Sequence, residues 1–158
     1  MKRKTTWREK LADDKCLPQV IKITGKMSKK WGTGTCAIPP PREVDAIMRS
    51  VPKGKLITIN EIRAVVAKKY KATIGCPMTV GIFAWIAANA ADEDAREGKK
   101  RITPYWRTLK SDGSLNEKYP GGTDAQKAFL EAEGHTIVSK GKKLVVAEYE
   151  KRLVRAKA

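Results

Sequence analysis

The stretch TINEIRAVVAKKYKATIGCPMTVGIFAWIAANAA, residues 58–91, decides the fold. Thr58 is followed three positions on by Glu61, the signature of a capping box. The threonine hydroxyl accepts from an early helical amide and the glutamate reaches back to the cap. Ile59, Ile62, Val65 and Val66 recur at helical spacing, which predicts a helix over 58–70. KATIG is a short connection. Cys76-Pro77 then opens a second helix, expected to run to residue 91, because proline suits a first helical turn. Two helices joined by a connection this short read as a helix-turn-helix.

Upstream, AIPPPREV stiffens the approach, with Pro41 placed as the first residue of a helix. Val44, Ile47, Met48 and Val51 give that helix, over 41–50, one buried face. Residues 1–38 read as weakly structured, with Trp7, Leu11, Val20, Ile21 and Ile23 available to dock on the core. Downstream, residues 92–102 read as a charged loop or a fraying helix end. RTLKSDGSLN reads as a short hairpin around Asp112-Gly113. Thr123 is expected to cap a further helix with Gln126 three positions on. Ala125, Ala128, Phe129 and Ala132 are expected on its apolar side, and Gly134 should stop it. His135 is expected to be an exposed strand start. HTIVSKGKKLVVAEY reads as a terminal hairpin turning at Lys140-Gly141. The expected organisation is a basic N-terminal extension (1–40), a main domain (41–138) and a basic C-terminal hairpin and tail (139–158).

The chain of 158 residues carries 33 Lys and Arg against 17 Asp and Glu, a net charge of +16. Such an excess favours a polyanionic partner, most often nucleic acid. Most of the excess lies at the two ends: residues 1–30 hold 10 basic and 3 acidic side chains, and residues 139–158 hold 7 and 2. Cys16, Cys36 and Cys76 are odd in number and widely spaced, which argues for reduced thiols rather than a disulfide framework or zinc site. With His135 as its one histidine, the chain cannot build a multi-histidine metal centre. No signal-peptide core and no run of about 18 apolar residues occurs, so a soluble cytoplasmic protein is expected. Neither a metal nor a cofactor is expected.

Four segments in order resemble the C-terminal domain of the O6-alkylguanine-DNA alkyltransferases. VPKGKLITINEI (51–62) is similar to the family's V-P-x-G-x-V-x-[ST]-Y-x-x-[IL]. PMTVGIFA (77–84) stands where the family has its A-R-A-V-G-x-A recognition helix. PYWRTLKSDGSLNEKYPGG (104–122) is similar to P-C-H-R-V-[VI]-x-x-x-G-x-[LV]-x-x-Y-x-G-G, and AQKAFLEAEG (125–134) to the helix that follows. The resemblance implies a mainly α fold with short β hairpins, of the winged helix-turn-helix kind.

It also implies what has changed. Tyr105 occupies the position of the family's alkyl-accepting cysteine and Trp106 that of its histidine. A phenol with a pKa near about 10 is a far weaker nucleophile at neutral pH than an activated thiolate. Tryptophan cannot serve as a general base. Family alkyl transfer is therefore expected to be absent, as in the non-enzymatic alkyltransferase-like branch, where a tryptophan replaces the cysteine. That branch usually keeps the histidine, so Trp106 is a departure even there. By the resemblance, Pro104, Tyr105, Trp106, Arg107, Tyr119, Gly121, Gly122 and Glu133 belong to the base pocket. Pro77, Met78, Thr79, Gly81 and Ile82 belong to the DNA-binding helix. Met78 stands where the family inserts an arginine into the duplex, and Ile59 where it has a tyrosine. Ile82, Phe83 and Trp85 replace a small-residue surface. An apolar wedge at Met78 can substitute for the arginine, since minor-groove proteins insert such side chains between base steps.

The leading expectation is thus a non-catalytic protein that binds double-stranded DNA, with O6-alkylguanine lesions and repair proteins as implied partners and no membrane. Two others stand beside it. One is a diverged protein-interaction module that uses the apolar 78–86 surface or buries the N-terminal arm against it. The other is an alkyltransferase that uses Cys76, whose thiol sits at a helix N-terminus.

Overall fold

A computed structural model describes residues 6–14 and 16–154. Helix α1 (Trp7–Ala12) starts at Thr6, whose hydroxyl accepts from the Glu9 amide at 3.1 Å. Strand β1 (Gln19–Lys22), helix α2 (Lys26–Trp31) and strand β2 (Thr35–Ile38) follow. The described part of 1–38 is therefore built into the fold, contrary to the weakly structured segment expected from its composition. Elements this short have no periodicity to read, and distant partners stabilise them.

Helix α3 (Pro41–Arg49) begins with Pro41 at its first turn, as expected, and buries Val44 and Met48. Strand β3 (Ile57–Thr58) leads into α4 (Ile59–Lys69). The capping box is present: Glu61 accepts from the Thr58 backbone amide at 3.2 Å and from its hydroxyl at 2.6 Å. Strand β4 (Ile74–Gly75) precedes α5 (Pro77–Arg96), which Cys76 caps. Helix α5 runs on past residue 91 because its acidic end finds cations. Arg8 lies 2.6 Å from Glu97 and 3.6 Å from Asp94, and Arg96 pairs with Asp92 at 3.0 Å.

Strand β5 (Thr108–Leu109), helix α6 (Gly122–Ala132) and strands β6 (Ile137–Lys140) and β7 (Lys143–Val146) follow, and a 3-10 turn, Tyr149–Arg152, comes after them. Helices dominate a mixed fold with three small sheets. One has the order β1-β2-β4, one pairs β3 with β5 in parallel, and the third is the β6–β7 hairpin. Lys140 pairs with Lys143, so the hairpin turns at Gly141-Lys142, one residue later than expected.

The Asp112-Gly113 segment is a tight turn rather than a hairpin. Lys110 donates to the Ser114 carbonyl at 3.0 Å, but the arm before the turn pairs with β3 and Ser114 bridges to Val145. Gly121, not Thr123, is the cap of α6. Its φ of +79° is left-handed, and a Cβ there would lie 2.5 Å from the Ala125 Cβ. Helix α6 buries Gln126 and Leu130, while Ala128, Phe129 and Ala132 are exposed, against expectation. Gly134 ends the helix as expected: its amide bonds to the Glu131 carbonyl and that of His135 to Leu130, a Schellman pattern.

The main core joins α3, α4 and α5 through Val44, Met48, Ile62, Val80 and Phe83. A second cluster, Leu56, Leu109, Leu115, Leu130 and Val146, binds the C-terminal half to β3 and β5. The chain end returns to this cluster: the Leu56 amide donates to the Arg152 carbonyl and the Val154 amide to the Leu56 carbonyl. Among the described residues no helix is long and apolar enough to cross a membrane.

Candidate nucleic-acid interface

Two places collect the residues singled out in the sequence. The first is the loop between α5 and β5, where Tyr105–Arg107 forms one 3-10 turn. Strand β5 follows at once, and its pairing with β3 fixes the loop against the start of α4. Tyr105 is buried, with its ring edge-on to Trp106 at 5.4 Å, Tyr119 at 5.7 Å and Phe129 at 6.2 Å. Trp106 stacks on Phe129 at 4.4 Å with 17° between the planes. The exposed Phe129 therefore has a task that its place outside the helix's buried face hides: it covers the indole.

Glu133 ties this loop to the end of α6. It accepts from the Trp106 indole at 2.9 Å and from two Arg107 nitrogens at 2.9 and 2.8 Å. Arg107 also donates to the Val51 carbonyl at 2.7 Å. Burial alone would raise the Glu133 carboxyl. The Arg107 guanidinium and the indole outweigh it and hold the group below its ordinary value. Gln126, expected only as a capping partner, is buried and crosslinks three segments. It accepts from the Asn116 amide at 2.8 Å and donates to the Trp106 carbonyl at 3.2 Å. No sequence signal marked it, because its partners are distant in the chain. Burial, then the Asp92 carboxylate, raise the Tyr105 phenol, so at neutral pH it stays protonated and weakly nucleophilic. Gly121 and Gly122 both have positive φ and shape the turn into α6 after the buried Tyr119; Pro104 is buried at the loop's start.

His135 follows the same helix end and is buried, correcting the exposed position expected. Its Nε2 has no hydrogen-bond partner. Burial lowers its pKa; Glu133 acts against this, and Arg152 and Arg107 add to it. The unfolded imidazole protonates near about 6.5 while the folded one resists, so below that pH the unfolded state binds more protons. Stability is therefore expected to fall as pH drops below about 6.5 and to be unaffected by this group above it. Urea midpoints at pH 5.5 and 7.5 should differ less for His135→Gln than for the wild type; an equal difference would refute this role.

The second place is the start of α5. Cys76 is buried and caps it, its sulfur accepting from the Thr79 amide at 3.4 Å and lying 2.9 Å from the Thr79 hydroxyl. Burial, then the neighbouring Cys76, push the Cys36 thiol up to about 11. Cys76 thus bonds to Thr79 and lies beside a second thiol, and Lys22 and Thr24 line the same groove.

Met78 is 62 % exposed and Ile82 50 %, one helical turn apart on the same face. Phe83 points the other way into the core. Trp85 is half-covered by Trp7, with ring centroids 4.7 Å apart, and donates to the Lys118 carbonyl at 3.1 Å. The apolar surface expected at 78–86 is therefore divided: the N-terminal arm and the core take Trp85 and Phe83, and solvent keeps Met78 and Ile82. Met78, Gly81 and Ile82 line a groove of about 540 Å³ together with Lys110, Ser111, Glu117 and Lys118, of which Lys110 and Glu117 pair at 2.9 Å. Gly81 has open space where a Cβ would stand.

Neither a family model nor a curated protein matches the sequence. Solved structures do. An S. pombe ATL in complex with DNA superposes with a TM-score of 0.53 at 20 % identity, covering 73 % of this chain and 94 % of its own. This chain has the ATL fold. S. pombe Atl1 in complex with damaged DNA containing O6-carboxymethylguanine matches over the same shares at 18 % identity and a TM-score of 0.48. The helix-dominated architecture agrees with the mainly α fold that the resemblance implied.

Proposed function

We propose that this chain is a non-catalytic DNA-binding protein of the alkyltransferase-like kind. The observation that carries the reading is the exposed Met78 and Ile82 pair on α5. It borders a groove that Lys118 and the Lys110–Glu117 pair also line, on a fold shared with a protein crystallised with DNA. In this reading α4 and α5 are the helix-turn-helix and β6–β7 stands as its wing. The start of α5, Pro77 to Ile82, enters the minor groove of double-stranded DNA. Gly81 permits close approach, and Met78 wedges between base steps in place of a basic finger.

The lesion assigned by this reading is O6-alkylguanine. The base pocket lies around Tyr105, Trp106 and Tyr119, framed by Pro104, Gly121 and Gly122 and held by Arg107 and Glu133. An extruded base must part the Tyr105–Tyr119 contact to enter, at a cost that an alkylated, poorly paired guanine offsets better than an intact one. The raised Tyr105 phenol supports binding without alkyl transfer.

Fluorescence anisotropy with a duplex carrying one O6-methylguanine, beside its unmodified twin, tests this at low and near-physiological salt. Tighter binding to the lesion that survives the higher salt is expected. Equal affinities that collapse with salt would leave DNA binding and remove lesion recognition, because phosphate contacts alone are salt-sensitive. No binding to either duplex would overturn the proposal.

A further inference from the structure

The DNA-binding reading uses one side of Met78, yet this side chain also lines a second groove. That groove, of about 310 Å³, lies between α5 and the β1–α2 arm and is formed by Ile21, Lys22, Met27, Trp31, Met78 and Thr79. Met78 thus stands on the ridge between two grooves.

The arm is seated firmly beside the start of α5. Strand β1 pairs with β2 from Gln19–Ile38 to Lys22–Thr35, and Ile23 donates to the Gly34 carbonyl at 2.9 Å. Thr35 and Thr73 exchange two hydrogen bonds of 3.0 and 3.1 Å, which join β2 to the α4–β4 connection. Gly34 makes this approach feasible, since a Cβ there would lie 2.1 Å from the Thr73 hydroxyl oxygen. Beneath the arm, Ile23, Cys36 and Cys76 form a small buried cluster against which Trp31 packs.

The outer surface of the arm has one sign of charge. Residues 16–42 contain Lys22, Lys26, Lys29, Lys30 and Arg42 and no acidic residue. The four lysines are exposed, and among the described residues none of the four forms an ion pair. Ile21 and Met27 are exposed between them at 42 % and 38 %. Exposed apolar side chains interleaved with unpaired lysines match a sugar-phosphate edge, whose sugars offer apolar contact and whose phosphates offer charge.

We infer that the β1–α2 arm is a second DNA-contacting element, which grips one strand of the duplex while Lys118, beyond the Lys110–Glu117 pair, faces the other. This rests on the DNA-binding reading and deepens it. A wedge at Met78 sits between the two strands that border a minor groove about 6 Å wide, so each strand passes over one of the two protein grooves.

The test is a triple variant, Lys26→Ala with Lys29→Ala and Lys30→Ala, compared with the matching triple arginine variant. Exposed positions of this kind leave the fold within about 0.5 kcal/mol, which urea unfolding verifies. Against the unmodified duplex, the alanine variant is expected to bind at least about tenfold more weakly near 0.1 M salt. The slope of log K against log salt should be shallower by roughly 2–3, at about 0.9 for each phosphate no longer neutralised. The arginine variant should bind as the wild type does. Neutral methylphosphonates on either single strand should weaken the wild type, whereas the alanine variant should be sensitive on one strand only. Wild-type affinity and slope in the alanine variant would overturn the inference and leave DNA binding standing. Failure of the wild type to bind the duplex would overturn both.

Discussion

Glu133→Ala is expected to lower the free energy of unfolding by about 3–5 kcal/mol, the range for removing one partner of a buried ion pair. The Arg107 and Glu133 side chains are only 14 % and 8 % exposed, and the carboxylate serves the Arg107 guanidinium, the Trp106 indole and the Gly54 amide. Its removal leaves the guanidinium with the Val51 carbonyl and the Trp106 ring face but no counter-charge, and takes away the acceptor of the Trp106 indole. Urea denaturation of the single variant measures the loss directly. A double variant, Arg107→Met with Glu133→Leu, should regain most of it, because the expensive species is the unpaired buried charge rather than the missing bridge. A loss below about 1 kcal/mol in the single variant would mean that the pair behaves as a surface ion pair.

Met78→Glu is expected to weaken duplex binding by about tenfold to a hundredfold, which corresponds to about 1.4–2.8 kcal/mol. Two effects act in the same direction. On the proposed DNA-binding reading, the variant loses the apolar wedge and places a carboxylate among phosphates. Met78 is 62 % exposed, so the substitution should leave the urea midpoint unchanged, which separates binding from folding. Ile82→Glu, one turn along the same face, should act likewise. Unchanged affinity in both variants would remove this face of α5 from the interface and, with it, the observation on which the DNA-binding reading rests.

The sequence showed the helical frame because its signals are local. Thr58 and Glu61 lie three residues apart, Pro41 and Pro77 begin their helices, and Gly134 ends α6, all within one turn of the feature they control. The likeness of residues 104–122 and 125–134 to the alkyltransferases grouped Tyr105, Trp106 and Glu133. It did not show that the indole and Arg107 share that carboxylate, because donor geometry is set by the meeting of a loop with a helix end.

What the amino-acid order determined by itself was therefore the spacing of the two central helices, the basic ends and the adjacent aromatics Tyr105 and Trp106. Tertiary structure decided the rest. It turned residues 19–38 into a strand–helix–strand arm, buried His135 and Gln126, and divided the apolar face of α5 so that Trp85 went to Trp7 and Met78 to solvent. The physical reason is common to all of them. A cap or a helical stripe involves neighbours in the chain, whereas a strand pairing, a buried polar bond or a covered tryptophan depends on partners far away in sequence. Those partners come into reach only when the whole core has closed.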